Sequence, residues 1–157
     1  MRFLLITLSF LLCSACIPTP HKVYSGPDLP ENATVLIADS VEEDFEGIDI
    51  TCVDGESTRN GWGYDANNFS EHPASVIVLP GRRYIGTRYW GMNGSAYGHY
   101  WLDTKAGHKY LLRRELVGSY AVKVWIEDTS TGTVVGGITG GEPNKDPNAK
   151  TCIDFDY

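Results

Sequence analysis

From Thr34 onward the chain is a succession of short apolar runs separated by Gly, Pro, Asn and Asp. Val122, Val124 and Ile126 alternate with Lys123, Trp125 and Glu127. A period of two gives a strand one apolar face and one mixed face. Runs of this kind predict strands near Thr34–Ala38, Ile48–Val53, Ala74–Leu79, Arg82–Trp90, Tyr97–Asp103, Lys109–Leu116, Ala121–Glu127 and Thr133–Val135. Leu79-Pro80-Gly81 and Lys105-Ala106-Gly107 read as tight connections. Asp128–Gly132 reads as a hairpin loop with its glycine near the left-handed position. Glu56–Pro73 and Gly136–Ala149 lack any period and read as irregular segments. A short helix near Ser40–Phe45 is the one helical feature the pattern allows. The expectation is a single all-β sandwich of about seven or eight mostly antiparallel strands over residues 34–157.

The chain has 157 residues and is 42% hydrophobic, enough for one domain with its own core and too apolar for a disordered chain. Its net charge of −7 argues against a nucleic-acid binder, which needs a basic face to neutralise phosphates. The charge is unevenly spread. Asp28 to Glu71 holds twelve acids and one Arg, whereas Arg82 to Lys123 holds eight bases and two acids. Either strands from the two regions lie side by side and pair their charges, or the surface is bipolar. A bipolar surface would leave Arg82, Arg83, Arg88, Arg113 and Arg114 to meet phosphate or carboxylate groups.

The N-terminus has Arg2, then an apolar run from Phe3 to Leu12, then Cys13-Ser14-Ala15-Cys16. This is the layout of a secretory signal, and the run is too short to span a bilayer. Ser14-Ala15-Cys16 resembles the end of a bacterial lipobox, with Cys13 where Leu or Val is usual. That resemblance implies a signal peptide over 1–15, lipidation of Cys16 and, in bacteria with two membranes, sorting to the outer membrane. Cleavage by an ordinary signal peptidase would instead leave a soluble secreted protein. Pro18, Pro20, Pro27 and Pro30 punctuate residues 16–33, which read as an extended tether.

With Cys13 and Cys16 assigned to the signal and the lipid, Cys52 and Cys152 remain as an even pair in an oxidising compartment. A disulfide between them is expected, tying the loose C-terminal tail to a strand. Two free buried thiols are the alternative.

Little in the chain points to catalysis. GxSxG, HExxH and SxxK are all missing, and His21, His72, His99 and His108 fall in separate segments. His99 and His108 come close only if the strands at 97–103 and 109–116 form a hairpin. The reading is a non-enzyme with no catalytic residue, no metal site and no cofactor. Aromatic residues are in surplus for so small a core. Trp62, Tyr64, Trp90 and Tyr97, in or near loops and joined by Arg88, form the candidate binding surface.

The succession Val53-Asp54-Gly55, Leu79-Pro80-Gly81, Ala106-Gly107-His108-Lys109-Tyr110, Ile126-Glu127-Asp128 and Thr131-Gly132 resembles small bacterial envelope lipoproteins. Tyr24-Ser25-Gly26-Pro27-Asp28-Leu29-Pro30 adds to this, and the first two elements are similar to those of PEGA-type sandwich modules. The resemblance implies an Ig-like or PEGA-like sandwich and no particular chemistry. The expected function is a non-catalytic structural or binding lipoprotein. It would be tethered to the membrane, facing the periplasm, and would contact an envelope glycan or another envelope protein. The alternative is a secreted or periplasmic inhibitor of a basic hydrolase such as lysozyme, suited by the acidic charge.

Overall fold

The computed structural model describes residues 19–40, 45–59, 71–118, 121–137 and 152. Ten strands form two mostly antiparallel sheets: β1 (His21–Lys22), β2 (Val35–Asp39), β3 (Gly47–Val53), β4 (Glu56–Ser57), β5 (Ser75–Val78), β6 (Gly81–Gly91), β7 (Gly94–Thr104), β8 (Lys109–Val117), β9 (Ala121–Asp128) and β10 (Thr133–Gly137). One sheet has the order β1-β5-β2-β8-β9-β10 and the other β4-β3-β6-β7. The all-β sandwich and all eight strands expected from the pattern are present. The two additional strands, β1 and β4, have two residues each, too few to show a period. Of the expected helix near Ser40–Phe45, residues 41–44 lie outside the described residues.

Successive strands run in opposite directions, so the sandwich has two distinct ends. Odd-numbered strands point from what we call the lower end toward the upper end, and even-numbered strands point the other way. The two parallel pairs, β1 with β5 and β2 with β8, obey the same rule. Val35, Ile37, Ile48, Ile50, Val76, Val78, Ile85, Leu102, Tyr110, Leu112 and Ile126 fill the space between the sheets and are essentially inaccessible to water. They are the alternate apolar positions of seven strands, which is why the period of two locates them. The β3–β4 turn is Asp54-Gly55, both with positive φ (51° and 79°). Asp-Gly is favoured in a two-residue hairpin because both residues tolerate that conformation.

Two features left open by the pattern are decided by the pairing. Part of the segment 16–33 joins a sheet. His21–Lys22 pairs with Val76–Ile77 of β5, and Val23 N–H donates to the Ile77 carbonyl (3.1 Å). The strands at 97–103 and 109–116 do not form a hairpin. The turn at 105–108 carries the chain from one sheet to the other, and β8 pairs with β2 and β9. The apolar faces of β7 and β8 then meet across the core instead of lying side by side in one sheet. His99 therefore lies in β7, while His108 ends the turn just before β8 of the other sheet.

The register of β3 shifts between Ile50 and Cys52, leaving Thr51 as an extra residue. This bulge turns Cys52 outward, opposite Gly86, while Val53 returns to the core. Cys152 meets Cys52 there in a disulfide with the Cα atoms 5.8 Å apart. Gly86 makes room for it, because a Cβ at that position would stand 3.1 Å from the Cys152 Cβ.

Part of the uneven charge resolves into pairs between the acidic and basic regions. Arg114 meets Asp39 (2.8 Å) and Glu46 (3.0 Å), Arg88 meets Asp49 (2.7 Å), and Arg83 meets Asp54 (2.8 Å). Arg113 pairs with Glu127 (2.9 Å).

Candidate functional site

Two surfaces concentrate chemistry. The first is the outer face of the four-stranded sheet, where β6 and β7 present Tyr84, Arg88 and Trp90 beside Trp101, His99 and Tyr97. The expected group of Arg88, Trp90 and Tyr97 is thus brought onto one face. Trp62 and Tyr64 lie outside the described residues, as does Cys16.

Asp49, fully buried, organises this face. Its Oδ2 accepts a hydrogen bond from Arg88 Nη2 (2.7 Å), and its Oδ1 accepts one from Trp90 Nε1 (3.2 Å). The Trp90 indole lies against Gly47, where a Cβ would come within 2.7 Å of the ring. Arg88 and Trp90 are therefore anchored side chains, half-buried, and Tyr97 is the exposed ring beside them. Further up, Tyr84 is buried against the disulfide and Trp101, with ring centroids 4.6 Å apart, and His99 stacks beside Tyr84 at 6.0 Å. Two of the surplus aromatics, Tyr84 and Trp101, thus belong to a second small core around Cys52 and Cys152. Burial lowers the pKa of His99. His72, whose ring nitrogen lies 3.3 Å from the Thr58 hydroxyl, is lowered by burial first and then by the charge of Arg88.

The second surface is a cleft of about 420 Å³ at the upper end. Its walls come from both sheets: Arg82 and Trp101 on one side, Tyr110 and Asp128 on the other, with Asp103, Lys105, Thr131 and Thr133 at the rim. The Arg82 guanidinium lies 5.3 Å from the Trp101 ring centre, a cation–π distance. Asp128 Oδ2 is 2.9 Å from His108 Nδ1, and Asp128 Oδ1 accepts the Ser130 N–H (2.9 Å). Burial raises the Asp128 pKa, but the hydrogen bonds from His108, Ser130 and Thr131 outweigh it, and the carboxyl sits below its ordinary value. The cleft offers both signs of charge, three hydroxyls and two aromatic rings, a set suited to a polar ligand with an apolar face. Reading along the sequence misses it as a site, because its walls come from five strands. Arg82 and Trp101 are visible only as members of the basic and aromatic surpluses.

Among the described residues no group of three or more His, Cys, Asp or Glu is arranged to hold a metal. No helix among them is long and apolar enough to cross a membrane. Comparison with protein-family models, with curated proteins and with solved structures gave no match to this chain.

Proposed function

We propose that the chain is a non-catalytic bacterial envelope lipoprotein. It is anchored through Cys16 at the outer membrane and binds a polar envelope ligand, a glycan strand, in the upper cleft. The observation that carries this reading is the relation between the chain's path and the cleft. β1 is one edge strand of the six-stranded sheet, so the segment leading back to Cys16 enters at that edge, while the cleft lies toward the opposite edge, against β9 and β10. A module tethered in this way would keep its cleft clear of its own anchor segment. The apolar run and Ser14-Ala15-Cys16 support the anchor. Trp101, the Thr131 and Thr133 hydroxyls and the charged rim support a sugar ligand. The inhibitor alternative relies on a free acidic face, and Asp39, Glu46, Asp49 and Asp54 of that region are each bonded to an arginine.

The anchor is tested by fractionation and intact mass. Wild-type protein should sediment with membranes and carry acyl groups, and Cys16→Ala should be released; tight membrane association of that variant would sink the anchor. The ligand is tested by co-sedimentation of the released protein with insoluble peptidoglycan. Binding should weaken in Lys105→Ala and Thr131→Ala. No binding by the parent, or equal binding by all three, would remove the glycan cleft.

A further inference from the structure

The arginines from Arg82 to Arg114 are of two kinds. Arg83, Arg88, Arg113 and Arg114 each hold a carboxylate. Arg82 stands directly opposite Asp103 in the β6–β7 pairing, yet the two form no ion pair. The Arg82 guanidinium is held over the Trp101 ring instead, 5.3 Å from the ring centre. Lys105 follows Asp103 by two residues. Its backbone N–H donates to the Tyr110 hydroxyl (3.0 Å), which fixes the turn from which the side chain leaves. Among the described residues, Arg82, Asp103 and Lys105 have no charged partner, and all three are exposed and line the upper cleft. Asp128, the other acid there, is taken up by His108 and Ser130. The cleft therefore turns two cations and one anion toward a ligand.

We propose that the cleft takes the free end of a peptidoglycan stem peptide, a residue that carries two carboxylates and one ammonium. The proposal rests on the reading of this cleft as the site of the glycan strand, and it names the part of that polymer which the charges select. Arg82 takes one carboxylate. A guanidinium presents two parallel N–H donors to such a group, and its rest on Trp101 reduces the side-chain freedom lost on binding. Asp103 takes the ammonium bonded to the same carbon. Directly opposite residues of an antiparallel pair have their Cβ atoms about 5 Å apart, so these two side chains can grip both groups of one α-amino acid. Lys105 takes the second carboxylate. Trp101 gives the aliphatic stem that joins the two centres an apolar surface. A diaminopimelate residue at the end of a stem tripeptide has this set of charges, whereas a neutral sugar unit answers none of the three.

The test uses the released protein on insoluble peptidoglycan, with the synthetic tripeptide Ala-γ-Glu-diaminopimelate as competitor. The tripeptide should displace the protein from the polymer, and the same tripeptide acetylated on the free amine of its diaminopimelate should not. Arg82→Gln and Asp103→Asn, at exposed positions, should each weaken the tripeptide about tenfold, the loss of one charge-assisted contact. Glycan strands stripped of their peptides by an amidase should hold the protein poorly. Stripped strands that bind as well as the intact polymer, with no displacement by the tripeptide, would overturn the stem-peptide end while leaving the glycan cleft standing. Equal displacement by the acetylated form would do the same. No binding of intact peptidoglycan by the parent would overturn the glycan cleft and this proposal together.

Discussion

Arg114 of β8 holds Asp39 of β2 with two contacts from one nitrogen, Nη1 to Oδ1 at 2.8 Å and to Oδ2 at 3.1 Å. Its Nε reaches Glu46, just before β3 in the facing sheet. The guanidinium and the Asp39 carboxylate are both nearly inaccessible to solvent. Removing one partner of such a pair leaves a buried uncompensated charge, which costs about 3–5 kcal/mol. Arg114→Met should therefore lower the urea midpoint strongly with an unchanged m-value. Asp39→Asn together with Arg114→Met should recover part of the loss. A midpoint within error of wild type would show that the network contributes no stability.

The Cys52–Cys152 bond joins residues 100 apart. In the chain-entropy model a loop of that size contributes about 4–5 kcal/mol. Cys52→Ser and Cys152→Ser should each lower the melting temperature, and the double variant should lower it no further. Two titratable thiols in the native protein would contradict the bond.

Gly47→Ala places a methyl where the Trp90 ring now lies. The indole can move only by giving up its hydrogen bond to Asp49. We expect a loss of about 1–3 kcal/mol, the usual cost of overpacking. A red shift of the Trp90 contribution to the fluorescence, isolated by subtraction of Trp90→Phe, should accompany it. An unshifted spectrum would mean that the ring does not rest on Gly47.

Acid should weaken the fold in two windows. His72 and His99 have folded pKa values below the ordinary 6.5, so the unfolded chain takes up protons first. Stability should fall as the pH drops from that value toward their lowered ones. His72→Gln combined with His99→Gln should flatten the dependence below that value. Asp128 is the opposite case, a carboxyl held below its ordinary 3.8. Its contribution is present above that value and is lost as the pH falls through the lowered one, and Asp128→Asn should remove that second step. Denaturant midpoints measured across pH would reveal either window as missing.

Short apolar runs bounded by turn signals were enough to locate all eight longer strands and the glycine at the end of the Asp128–Gly132 loop. These depend on local alternation and turn chemistry, which neighbouring residues carry. The pairing of Cys52 with Cys152 was legible too, because counting cysteines needs no geometry. What alternation could not show was that Cys52 faces outward. Simple parity puts it inward with Ile48 and Ile50, and the Thr51 bulge, which depends on pairing with β6, reverses it. The same holds for Asp49, whose burial beneath Arg88 and Trp90 comes from two strands about forty residues apart in sequence. The candidate binding group was only partly legible. Arg88, Trp90 and Tyr97 do share a face, but the cleft is assembled from residues 82 to 135 of both sheets. The docking of His21–Lys22 and the separation of His99 from His108 were likewise decided by how the sheets assemble. Local pattern sets which residues can form strands; only the closing of two sheets over one core sets which faces meet and which ends project.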